Sequence, residues 1–144
     1  MKDLWLYIRA ALAGVGGWCG AFFGGLDGLL TALVIFMAVD YATGVMCAVA
    51  DRQLSSAVGF RGLSKKIFIL MLVGVGHMID AHVLGSGHMI RTAVIFFYLS
   101  NEGVSLLENA SRIGLPVPKK LKDVLAQLHD KAEGGDKEDK GNES

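Results

Sequence analysis

The chain has 144 residues, with 14 Lys and Arg against 14 Asp and Glu, so its formal net charge is zero. Hydrophobic residues make up 52% and charged residues 19%; with glycine counted and tyrosine left out, the apolar share is roughly 63%, against ~45–50% in an ordinary soluble domain. That composition excludes an ordinary soluble globule of this size, and the zero charge gives no support to a nucleic-acid binder or an acidic disordered chain.

From Ala10 to Ala50 the only charged residues are Asp27 and Asp40. A bilayer core needs ~20 helical residues, so this run is two spans rather than one. Gly24-Gly25-Leu26-Asp27-Gly28 is the turn between them, which places span one at about 5–23 and span two at about 28–50. A secretory signal would be followed by a polar mature domain. Here another apolar run follows, so span one is expected to stay. In it Gly16, Gly20, Gly24 and Gly28 recur every four residues, a spacing that lets helix backbones approach closely. The expected use of this stripe is a contact between subunits; packing within one chain is the alternative.

Asp40, Thr43 and Cys47 share a face of span two. Between Asp51 and Lys66 the chain is short and basic, and it is expected to lie along lipid headgroups, mainly as a topology determinant. Span three, about 67–84, carries His77, Asp80 and His82 near its end, with His88 in the following turn. His77 and His82 point about 140° apart on one helix, which disfavours a shared metal. His77 and Asp80 stand at i and i+3, where a local pair can form. Cys19 and Cys47 have no metal or disulfide spacing and read as small helix residues.

Span four, about 92–110, is the most polar. Asn101, Ser105, Glu108 and Arg112 fall on one stripe, with Tyr98, Glu102 and Asn109 alongside. Acids within spans face protein or water rather than lipid, and no basic residue is expected to be buried beside Asp40, Asp80, Glu102 and Glu108. Interhelical hydrogen bonding and a water-lining role are both open for them. Pro116 and Pro118 end this span. Leu121, Val124, Leu125 and Leu128 then recur at helical spacing among lysines, giving an amphipathic helix over about 119–132 against the inner membrane surface or a neighbouring subunit. Residues 133–144 are charged, contain glycine and lack large apolar side chains; disorder is expected there.

Four spans put every Lys and Arg except Arg91 on one side of the membrane. The positive-inside rule then makes both termini and the Asp51–Lys66 segment cytoplasmic. If span one did not insert, the N-terminus would lie outside. The fold class is therefore an all-α integral membrane protein with four transmembrane helices, or three without span one, in a transmembrane region over 1–111. Segment 112–132 and the tail follow it. No phosphate-binding loop, zinc helix or nucleophile elbow is present in the sequence, so no enzyme activity, metal or cofactor is expected.

Several motifs occur in order: Asp40-Tyr41-Ala42-Thr43-Gly44; Gly59-Phe60-Arg61-Gly62-Leu63-Ser64-Lys65-Lys66; Asp80; and Phe97-Tyr98-Leu99-Ser100-Asn101-Glu102-Gly103-Val104-Ser105-Leu106-Leu107-Glu108-Asn109. Gly114-Leu115-Pro116-Val117-Pro118 and Leu121-Lys122-Asp123 follow. Together, over about residues 28–128, they resemble the toxin-secretion/phage-lysis holin family. The glycine stripe, the His-Asp-His cluster and the charged tail lie outside the resemblance. It implies a protein that accumulates in the bacterial cytoplasmic membrane, oligomerises with itself, and makes timed lesions. These lesions let an endolysin reach the cell wall, or collapse the membrane potential and so activate a secreted endolysin. No direct binding to the endolysin is implied. Relatives export large toxins, and the family uses no catalysis, metal or organic cofactor. The implied partners are other copies of the chain and the lipid bilayer, without nucleic acid. A small ion-channel-like protein and an antiholin or membrane scaffold are the rival readings of the same spans.

Overall fold

The computed structural model describes residues 1–138 and is all helix among them: α1 (Lys2–Phe23), α2 (Gly28–Ala50), α3 (Ser56–His82), α4 (Met89–Arg112) and α5 (Lys119–Glu138). α1, α2 and α3 are long and apolar enough to cross a membrane. α4 matches them in length, but its polar residues keep it outside that class.

Local signals set the boundaries. Gly24 takes a left-handed conformation (φ 77°) that ends α1, as glycine does without penalty. Asp27 caps α2 by accepting from the Leu30 N–H at 2.9 Å. Ser55 caps α3 in the same way through Val58, satisfying amides that a helix start leaves without partners.

Three of these boundaries correct the sequence reading. The Asp51–Lys66 segment is not a loop over its whole length, because α3 begins at Ser56 rather than at about 67 and runs unbroken through Lys65 and Lys66. A charged pair before an apolar run resembles the end of a span, yet Lys65 and Lys66 continue the helical repeat of Ile69 and Val73. α5 extends through Glu138, so the expected disorder does not begin at Glu133; residues 139–144 lie outside the described residues. The four-residue glycine stripe is also broken. Gly24 leaves the helix and Gly28 opens the next one, so only Gly16 and Gly20 share α1.

The core is formed by α2, α3 and α4. α2 and α4 run parallel: Asp27 meets Arg91 at one end, and Asp51 meets Arg112 at the other. α3 runs antiparallel between those ends. Leu30, Leu33 and Met37 pack with Ile69, Val73, Ile95 and Leu99 into one apolar cluster toward the Asp27 end. Apolar side chains also cover the outside of α2, where Val34, Ile35, Val39, Met46 and Val49 are exposed.

α1 stands largely apart. None of its residues is buried, and nothing lies within 4 Å of a Cβ built on Gly16, Gly17 or Gly20. The small-residue face therefore has no partner within the described chain. α1 is attached at its end, where Phe22 packs over Gly74 so closely that no side chain fits there.

α5 makes a contact that the sequence reading did not include. It folds back on α4 of its own chain, with Leu125 buried over Gly103. Leu121 and Val124 stay exposed.

Candidate functional site

Two charged clusters hold the bundle at different depths. At the Asp27 end, Arg91 is 2% exposed. Its Nε donates to the Phe23 carbonyl at 2.5 Å, Nη2 donates to the Gly25 carbonyl at 3.0 Å, and Nη1 lies 2.7 Å from Asp27 Oδ2. One guanidinium therefore gathers the α1–α2 turn onto the start of α4. The planar five-donor fork suits this divergent set of acceptors.

Asp80 is fully buried beneath the same helix start. Its carboxylate accepts from the Ile90 and Arg91 N–H groups at 3.0 and 2.9 Å. A negative charge at a helix N-terminus is favoured by the free amides and by the helix dipole. Asp80 is thus a cap for α4 supplied by α3. The close approach requires Gly76, whose Cβ would stand 3.2 Å from Arg91 backbone atoms. The expected His77–Asp80 pair does not form. His77 instead stacks on His88 at 6.1 Å, and its buried Nδ1 has no hydrogen-bond partner. Among the described residues no three His, Cys, Asp or Glu side chains assemble a metal site.

Asp27 is half exposed, and the Arg91 guanidinium with the Leu30 N–H holds its carboxyl below the usual carboxylate range. A lowered folded-state value means that the stabilisation is complete above the unfolded value of about 3.9 and is lost as pH falls through the lower folded one. Melting temperatures in micelles are therefore expected to drop in this acid window, with a smaller drop in Asp27→Asn. An identical acid profile in the variant would show that Asp27 contributes nothing to it.

The second cluster lies deeper along α2. Lys66 Nζ is 2.7 Å from Asp40 Oδ2 and 2.5 Å from Glu102 Oε2. It joins α3 to both α2 and α4. This overturns the expectation that these acids have no base beside them: Lys66 is held at 13% side-chain exposure, and Arg91 is buried beside Asp80. Asn109 extends the cluster, donating to Asp40 Oδ1 at 3.1 Å and to Thr43 Oγ1 at 3.0 Å. Cys47 Sγ donates to the Asn109 carbonyl. The face formed by Asp40, Thr43 and Cys47 is therefore joined to α4 by interhelical hydrogen bonds.

α2 and α3 diverge around this cluster and leave a cleft of about 1060 Å³, which Asn101, Ser105, Glu102 and Asn109 line from α4. Glu108 is not in it. It is exposed and borders a separate groove against α5, with Lys122 and His129. The structure brings Asp40 of α2 together with Asn101, Glu102 and Ser105 of α4, which sequence reasoning placed on separate helix faces, and that reasoning gave no site role to Lys66 or Arg91. The helical phase of Lys66 relative to Ile69 and Val73 was the available signal for the first of these.

An all-helical bundle with long apolar helices and charge held inside it defines a multi-pass membrane protein. The chain belongs to the bacteriophage holin family, whose model matches residues 17–130. This match includes the end of α1, all of α2, α3 and α4, and the first part of α5. The chain is 42% identical to the uncharacterized protein Lin0175 of Listeria innocua over 135 residues, 94% of each chain. It is 37% identical to an uncharacterized 14.9 kDa protein in the nagH 3' region of Clostridium perfringens, covering 91% of this chain and 99% of that one. The uncharacterized protein YtkC of Bacillus subtilis is 34% identical over 78% of this chain and 83% of its own. No solved structure matches the chain.

Proposed function

We propose that the protein acts as a holin in the cytoplasmic membrane of a bacterial host, oligomerising there and making timed lesions through which an endolysin reaches or is activated at the cell wall. The observation that carries this reading is a charged seam folded inside a bundle whose outer surface is apolar. Lys66, Asp40, Glu102 and Asn109 satisfy one another within one chain. Acids and amides of this kind are costly in lipid and are retained where they pair or meet water. The same side chains can line water if the helices re-pair between copies.

In this reading α4 also crosses the membrane, because it runs beside α2 from end to end. The Asp51 end and both termini face the cytoplasm, where the positive-inside rule places the basic residues. The uncovered Gly16–Gly20 face of α1 supplies a contact between copies, since small residues allow close helix approach.

The test is induced expression in bacteria together with an endolysin that has no export signal. A holin gives normal growth, then an abrupt fall in optical density and release of the endolysin. Graded ion leakage without protein release would support a channel instead. No killing alone, with delayed killing beside another holin, would support an antiholin or scaffold.

A further inference from the structure

The cleft has a second, outward row of residues that the internal seam does not use. Arg61, Lys65, Phe68 and Leu72 all line it from α3. Their spacing of four, three and four residues places them on one helix face. The order along that face is two cations, then two apolar side chains, and all four are exposed. Among the described residues neither Arg61 nor Lys65 makes an ion pair, whereas Lys66 beside them is fully engaged.

Charge and depth both point to one kind of occupant. The cleft is lined by four cations and two carboxylates, and Asp51 takes up Arg112 at 2.6 Å. One positive charge is left over, equal to the charge of one phosphodiester. The apolar run of α3 from Ile67 to His82 rises about 24 Å at 1.5 Å per residue, most of a hydrocarbon core of about 30 Å. Arg61 and Lys65 precede it on the Asp51 side of the internal cluster, from where their long side chains reach toward headgroup depth. Basic pockets between membrane helices are recognised sites for anionic headgroups.

We propose that this cleft binds one anionic phospholipid, its phosphate held by Arg61 and Lys65 and an acyl chain laid along Phe68 and Leu72. The proposal rests on the bundle spanning a membrane and does not depend on lesion formation. The lipid wedges between α2 and α3 where the protein itself provides little packing.

The full chain, purified in non-ionic detergent, is titrated separately with phosphatidylglycerol, phosphatidylcholine and glycerol 3-phosphate, and bound molecules are counted by native mass spectrometry. The expected result is one retained phosphatidylglycerol per chain, with phosphatidylcholine held at least about tenfold more weakly and glycerol 3-phosphate not retained. The double variant Arg61→Gln/Lys65→Gln is expected to lose about tenfold in phosphatidylglycerol affinity. Lys119→Gln/Lys120→Gln, which removes equal charge from α5, keeps it. Equal retention of phosphatidylcholine, capture of glycerol 3-phosphate, or equal losses in the two double variants would overturn the proposal. Because the readout is lipid binding, it is independent of whether induced cells lyse.

Discussion

Lys66→Met is expected to destabilise the bundle by about 3 kcal/mol or more, because it leaves Asp40 and Glu102 facing each other with no cation between them. The loss follows from the asymmetry of ion pairs away from water. Removing one partner leaves the other's desolvation uncompensated, whereas replacing the whole set with neutral groups can restore much of the stability. The triple variant Lys66→Met/Asp40→Asn/Glu102→Gln is therefore expected to melt well above the single variant in micelles. Asn at position 40 still accepts from Asn109 through its amide oxygen. If Lys66→Met melts like the parent chain, the triad does not hold α3 to α2 and α4. The paired measurement also separates stability from lysis timing. A triple variant that folds but triggers at a different time would assign the charges a role in the transition itself.

Arg91→Met has an expected cost of similar size, about 3–5 kcal/mol, for a different reason. The Phe23 and Gly25 carbonyls and the Asp27 carboxylate all lose their donor at once. Arg91→Lys recovers only part of the loss, since one ammonium on a flexible stem cannot reproduce the planar fork. The expected structural result is release of the α1–α2 turn from α4, measured as faster proteolysis between Gly24 and Gly28 and a lower melting midpoint. Parent-like protection of that turn in Arg91→Met would rule out this role.

These two residues also show what the sequence could convey. Arg91 was visible only as the one basic residue on its side of the membrane. Its acceptors come from a turn more than sixty residues earlier, and no local pattern records that meeting. Lys66 was closer to legible. Ser55 provides a cap, and the helical phase continues across Lys65 and Lys66 into Ile69 and Val73, but a charge pair before an apolar run looks like the end of a span. The end of α1 and the start of α2 were readable because Gly24 and Asp27 act locally, one through its φ angle and the other through its side-chain oxygen. The polar face of α4 was readable as a face, and its division was not. Asn101 and Ser105 turn into the cleft, while Glu108 turns toward α5, and only the fold-back of α5 over Gly103 decides which side is which.

The uneven interior has an electrical consequence. The oily cluster around Leu33, Val73 and Ile95 occupies only the Asp27 half of the bundle, while the other half holds the Lys66–Asp40–Glu102 cluster and its cleft. From Gly28 to Asp40 the α2 axis rises about 18 Å at 1.5 Å per residue, against about 30 Å of hydrocarbon in the surrounding bilayer. Were water rather than lipid to fill that cleft, a resting voltage would fall over the thinner insulator, and the local field would be roughly 1.7 times steeper than in plain lipid. Low-dielectric walls focus such a field. The Lys66 ammonium and its two carboxylates would then sit at the floor of the wet side, where each elementary charge gains or loses about 2.3 kcal/mol per 100 mV traversed. The wetted bundle would in this sense be a partly shorted capacitor, with its buried charges placed at the remaining plate.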